Sequence, residues 1–70
     1  MTPILIQFAG KQRDFRNTFS CLIAHRSDGK SYLEYDFDGA YFYEEFENSS
    51  QAHDRRQEIN KIILEAKQNG

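Results

Sequence analysis

The chain has 70 residues, a formal net charge of −2 and 39% hydrophobic residues, which together predict one small folded domain, residues 1–70, rather than wholesale disorder. It contains no apolar run close to the roughly 20 residues that a membrane span needs, and its start lacks the basic region of a signal peptide. Its single cysteine, Cys21, cannot form an internal disulfide. A cytoplasmic protein without a membrane partner is therefore expected.

The first third of the chain predicts two strands joined by a loop. Ile4, Ile6 and Phe8 recur at every second position, which indicates a short strand. The polar residues 9–14 follow and are predicted to form a hairpin connection. A second strand is expected over residues 15–25, and its apolar side carries Phe19, Cys21 and Ile23.

Residues 31–37 alternate more strictly and predict a third strand, whose apolar side carries Leu33, Tyr35 and Phe37. Asp38 and Gly39 then supply a turn signal, because glycine accepts the positive φ that a two-residue type I′ turn requires. The chain is therefore expected to double back into a fourth strand over residues 40–46, in which Tyr35 faces Phe42.

The two faces of this predicted hairpin differ in chemistry. The outer one, which we call the tyrosine–carboxylate face, consists of Tyr32, Glu34, Asp36, Tyr41, Tyr43 and Glu45. The inner one is apolar except for Glu44, and the charge of this residue indicates that it lies at a sheet edge. The alternative is that residues 41–46 begin an extended helix.

A helix is predicted at the end of the chain. Asn48, Ser49 and Ser50 favour a helix start, because each side chain can accept a hydrogen bond from a free amide of the first turn. The apolar residues beyond them repeat at helical spacing: Ala52, Ile59, Ile62, Ile63 and Ala66. The predicted fold is α+β: a small antiparallel meander of three or four strands over about residues 3–46, with one C-terminal α-helix over about 50–67 packed on one face (ββββα or βββα).

The distribution of aromatic and charged residues indicates a function in protein binding. Residues 31–48 carry seven of the ten aromatic rings and six acids, without a lysine or arginine. Tyrosine offers a large contact area with few rotatable bonds, and carboxylates attract basic partners. We therefore expect a non-enzymatic module, an inhibitor or regulator, that docks a basic protein surface through the tyrosine–carboxylate face. The same charge could imitate nucleic acid, and the alternative is a solvated face whose tyrosines only pack across strands.

Two other binding functions are compatible with the sequence. A nucleic-acid binder would use the basic segment, which consists of Lys11, Arg13, Phe15 and Arg16, with the phenyl ring stacked on a base; the acidic balance of the chain argues against this partner. A structural homodimer would use Leu5 and Leu22, which fall opposite the main apolar residues of their strands. In size, charge and element order the chain resembles the small accessory proteins of phages and mobile elements.

The sequence does not favour catalysis, a metal or a cofactor. Cys21 lies within a predicted strand, where a cysteine behaves as a small hydrophobic residue. His25 and His53 belong to different elements and show none of the spacings typical of metal sites. The glycines are isolated and form no phosphate-binding loop. A domain of this size also has little room for a deep pocket.

Overall fold

The computed structural model describes residues 2–18 and 21–69, and within these ranges the chain forms five strands and one helix. The elements are β1 (Leu5–Phe8), β2 (Lys11–Asp14), β3 (Cys21–His25), β4 (Ser31–Phe37), β5 (Ala40–Phe46) and α1 (Ser49–Asn69). β1 and β2 form a two-stranded antiparallel sheet, and β3, β4 and β5 form a three-stranded antiparallel sheet with β4 at its centre. The α+β class and the C-terminal helix are confirmed, but five strands in two sheets replace the predicted three or four.

The additional strand arises because the predicted loop at residues 9–14 is a tight turn followed by β2. Ala9 and Gly10 both have positive φ, 50° and 94°, so the chain reverses within two residues and β2 pairs with β1. The strand predicted over residues 15–25 is therefore wrong for residues 15–18, whereas β3 confirms its last part. Two residues of that prediction lie outside the described part of the chain, Phe19 and Ser20.

The predicted hairpin of β4 and β5 is confirmed with its register. Tyr35 pairs with Phe42, and both central residues of the turn, Asp38 and Gly39, have positive φ (55° and 87°) as a type I′ turn requires. The Asp36 carboxylate accepts a hydrogen bond of 2.7 Å from the Gly39 amide and so stabilises the turn. The alternative of a helix beginning within residues 41–46 is wrong.

The β1–β2 hairpin covers one end of the inner face of the three-stranded sheet. Phe8 and the following loop residue Phe15 are almost completely buried. Their ring centroids lie 5.3 and 5.1 Å from that of Tyr35 in edge-to-face geometry, the arrangement that aromatic pairs prefer. Phe37 joins the cluster, with its centroid 5.0 Å from Phe15. This aromatic group forms the centre of the small core.

The helix covers the other end of the same inner face. It begins where Asn48 accepts a hydrogen bond of 2.9 Å from the Gln51 amide, which confirms the predicted start. Ala52 and Ile59 are fully buried, and Ile63 and Ala66 pack against the core, whereas Ile62, which was predicted to belong to the apolar stripe, is 38% exposed. No helix of the described part of the chain is long and apolar enough to cross a membrane.

Glu44 connects the two structures that cover the inner face. Its carboxylate accepts hydrogen bonds from the Arg55 Nε of the helix at 3.0 Å and from the Ala9 amide at 3.2 Å. Arg55 also donates to the carbonyl oxygen of Gln7. Burial opposes the charge of Arg55, but hydrogen bonds and attraction from Glu44 and Glu58 outweigh it and raise its pKa. The acid that disturbed the alternation of β5 is thus a partly buried link between the helix and the β1–β2 hairpin.

 Ala9 has a φ of 50°, where a Cβ atom costs roughly 1 kcal/mol relative to glycine. Ala9→Gly is therefore expected to raise the free energy of unfolding by about 0.5–1 kcal/mol, measured by urea denaturation. Ala40→Gly is the matched control, because that alanine has no positive φ, and it is expected to lower the same quantity. Destabilisation by both substitutions would contradict the prediction.

Candidate functional site

The three-stranded sheet brings all six residues of the tyrosine–carboxylate face together. They form three cross-strand rows, in each of which one tyrosine stands opposite one carboxylate: Tyr32 with Glu45, Glu34 with Tyr43, and Asp36 with Tyr41. The rows follow from the alternation of β4 and β5 and from the tight turn between them. The Cβ atoms of directly opposed residues in an antiparallel pair lie about 4.5–5.5 Å apart, so each row is a small mixed surface of ring and carboxylate.

The tyrosine rings of this face are unusually exposed for their size. Tyr41 is 63% and Tyr43 57% exposed, while Tyr32 is half-buried. The rings of Tyr32 and Tyr43 contact each other diagonally across the strands, with centroids 4.9 Å apart. Adjoining exposed rings of this kind are typical of protein-binding surfaces.

β3 extends the face with an aliphatic residue. Leu22 stands opposite Glu34 and is 56% exposed, and Ala24 stands opposite Tyr32. The sequence indicated that Leu22 lies opposite the main apolar residues of its strand, but not that it adjoins the tyrosines. Two features of the sequence together indicate this position of Leu22: the alternation of β3 and the meander order, which places β3 next to β4.

Arg26, which follows β3, occupies the row of Tyr32 and Glu45. Its guanidinium carbon lies 5.4 Å from the Tyr32 ring centroid, and its Nη1 donates to the Tyr32 hydroxyl and lies 3.5 Å from Glu45 Oε2. The hydrogen bond to Tyr32 is the main reason that the pKa of Arg26 is raised, and Asp28 and Glu45 add to it. Sequence reasoning missed Arg26, although it continues the alternation of Leu22 and Ala24 on the outer side.

The other two rows carry no base of this kind. Among the described residues, neither Glu34 nor Asp36 forms an ion pair, and the hydrogen bond recorded for Asp36 comes from the Gly39 amide of the turn. The negative charge of the face is thus concentrated beside the two most exposed rings, Tyr41 and Tyr43.

The basic segment is arranged differently from what nucleic-acid binding requires. Phe15 is only 1% exposed, so its ring cannot stack on a base. Arg13 donates to the carbonyl oxygens of Phe8 and Ala9 at 2.8 and 3.1 Å, and its guanidinium carbon lies 3.7 Å from the ring centroid of Phe42.

The rest of the basic segment is mixed in charge. Arg16 pairs with Asp14 at 2.7 Å, while Lys11 is exposed. A cleft of about 340 Å³ adjoins the segment and is lined by both bases and acids, Asp38 among them. Its arginines are therefore used within the fold, and its surface lacks the concentrated positive charge that binds phosphates.

Arg13 is expected to act in stability rather than in binding. Arg13→Gln removes the contact with Phe42 and the charged donor for two carbonyl oxygens, and should lower the free energy of unfolding by about 1–2 kcal/mol in urea denaturation. Lys11→Gln removes the same charge from an exposed side chain and should change it by less than about 0.5 kcal/mol. Equal effects of the two substitutions would contradict a structural role for Arg13.

Asp14 is expected to make stability depend on acidic pH. Its carboxylate accepts hydrogen bonds from the amides of Arg16 and Ile4 at 3.0 and 3.2 Å and from Arg16 Nε at 2.7 Å. The Arg16 amide is the main cause that lowers its pKa below the ordinary 3.8. Because the pKa of Asp14 is lower in the folded than in the unfolded chain, its carboxylate stabilises the fold at pH values above its unfolded pKa. This stabilisation is lost as the pH falls through the folded pKa.

Comparison with Asp14→Asn isolates this effect. The wild type should exceed the variant in unfolding free energy by a constant amount above about pH 5, and the difference should shrink as the pH falls below 3.8. Urea denaturation at a series of pH values measures it. A difference that stays constant down to pH values well below 3.8 would show that the carboxylate has no lowered pKa.

Neither a metal site nor a relative adds to this description. In the described ranges, no group of three His, Cys, Asp or Glu side chains is arranged to hold a metal ion. No protein-family model, curated protein or solved structure matches the chain. The tyrosine–carboxylate face is thus the feature of the described chain that bears most directly on its function.

Proposed function

We propose that the chain is a non-enzymatic protein-binding module, an inhibitor or regulator, that docks a basic surface of another protein through the tyrosine–carboxylate face. The observation that carries the proposal is the exposure of Tyr41 and Tyr43 beside two carboxylates that lack an ion pair in the described chain. Rings of this kind supply contact area on binding, and the carboxylates select and orient a positively charged partner.

The charge of the face favours this partner over the other two candidates. Nucleic acid would be repelled by Glu34 and Asp36, and the arginines of the basic segment are bound within the fold. A second copy docked face to face would bring like charges together, which costs free energy. A basic protein surface satisfies both the rings and the carboxylates.

Two variants test the proposal by separating the rings from the charge. Tyr41→Ser with Tyr43→Ser removes the contact area, and Glu34→Lys with Asp36→Lys reverses the charge. Each pair is expected to weaken binding of the captured basic partner by at least about tenfold. Capture from a cell lysate on the immobilised chain identifies the partner, and titration calorimetry with the purified partner measures the affinity.

Matched substitutions on the helix control for general effects. Leu64→Ser removes an equally exposed apolar side chain, and Asp54→Lys with Glu65→Lys makes the same change in net charge. Both controls should bind as the wild type does. Salt should weaken wild-type binding and affect the charge-reversed variant much less.

Three results would contradict the proposal. One is unchanged partner binding by face variants whose circular dichroism shows that they remain folded. Another is RNA or DNA binding at low salt that depends on Lys11, which would support the nucleic-acid alternative. The third is a concentration-dependent dimer in sedimentation that the face variants abolish, which would support a structural homodimer.

A further inference from the structure

The chain itself contains an example of how its outer face binds a cation. Three rows of one tyrosine and one carboxylate lie side by side, and the row of Tyr32 and Glu45 is occupied by Arg26. In that row the guanidinium carbon lies 5.4 Å from the ring centroid, and the same group donates to the hydroxyl and faces the carboxylate. The rows of Glu34 with Tyr43 and of Asp36 with Tyr41 have the same composition and contain no base from the described chain.

The same row also shows how a lysine behaves. Lys30 Nζ lies 3.6 Å from Glu45 Oε1, and the structure records no ring contact for it. An ammonium group is a compact and strongly hydrated charge, whereas a planar guanidinium stacks on an aromatic face and donates several hydrogen bonds at once. Rings beside the carboxylates would therefore favour a guanidinium over an ammonium group.

The spacing of the rows defines the shape of the partner. Tyr41 and Tyr43 are two residues apart on β5, so the two open rows lie about 6.7 Å apart, two residue rises of a strand. Alternate side chains of an extended peptide repeat at the same distance and point to the same side. Two arginines separated by one residue would thus reach one row each.

We infer that the partner contributes an extended segment with arginines at alternate positions, Arg-X-Arg, and that these occupy the rows of Glu34 with Tyr43 and of Asp36 with Tyr41. The inference rests on the proposed function and specifies its partner. Leu22 of β3 stands opposite Glu34 and is exposed, so it offers an apolar contact beside the row of Glu34 with Tyr43.

Synthetic peptides test the inference directly. An otherwise uncharged Gly/Ser/Thr peptide containing Arg-Thr-Arg is compared with peptides containing Lys-Thr-Lys, Arg-Thr-Thr-Arg or Gln-Thr-Gln. Titration of the isotopically labelled chain at low salt, followed by nuclear magnetic resonance, gives both the affinity and the location of each peptide. Arg-Thr-Arg is expected to shift the amide signals of β4 and β5 around Glu34 and Tyr43, and to bind at least about fivefold more tightly than the other three peptides.

Substitutions then show whether the rings cause the preference. Tyr43→Ser should reduce the difference between Arg-Thr-Arg and Lys-Thr-Lys to less than about twofold, while Leu64→Ser should leave it unchanged. Arg26→Gln opens the third row. This variant should bind a peptide with three alternate arginines at least about threefold more tightly than it binds Arg-Thr-Arg. The wild type should show a smaller difference in affinity between the two peptides.

Each contrary result separates this inference from the function on which it rests. Equal binding of the arginine and lysine peptides at the face would overturn the arginine preference and leave a basic partner intact. If no peptide binds, but substitutions in the face still abolish binding of a captured protein, the extended Arg-X-Arg segment is wrong and the proposed function stands. Signal changes located away from β4 and β5 would show that the peptide does not bind at the rows of Glu34 with Tyr43 and of Asp36 with Tyr41.

Discussion

Two consecutive residues with positive φ, Asp38 and Gly39, determine which side chains of β4 and β5 share a face. The turn that they form allows one register, in which Tyr35 faces Phe42. A slip by one residue would exchange the two faces, so that tyrosines and carboxylates would enter the core and the inner aromatic rings would face water. The burial of Tyr35 and the exposure of Tyr43 are therefore consequences of one local geometry. The outer face keeps its composition only as long as this turn holds.

The inner face explains why such a small domain can leave large rings in solvent. A chain of 70 residues buries only a limited core, and here that core is closed by two separate covers, the β1–β2 hairpin and the helix. Glu44 joins them through Arg55 and the Ala9 amide. Since these covers complete the core on one side, the opposite side of β3, β4 and β5 has no structural need for a cover. Its exposed rings are then available to a partner.

Strong local signals made the hairpin predictable, and their absence explains the errors. Asp38-Gly39 is a turn pair with a clear physical reason, and the register, the outer face and the helix start at Asn48 follow from the sequence. Ala9 gives no such signal, because alanine rarely takes a positive φ, and the bonds that favour this turn come from Glu44 and Arg13, which are distant or across the hairpin. Long-range contacts of this kind also placed Phe15 in the core rather than on the surface.

The position of Arg26 changes how the acidic charge of the chain should be understood. Arg26 and Lys30 already compensate Glu45, so this carboxylate contributes little net charge to the outer face. The remaining charge is confined to the rows that contain Tyr41 and Tyr43, so a cation bound there also contacts a ring. Ring contact rewards a guanidinium more than an ammonium group. On the proposed function, the face would therefore favour arginine over lysine in its partner, a preference that a purely acidic surface would not give.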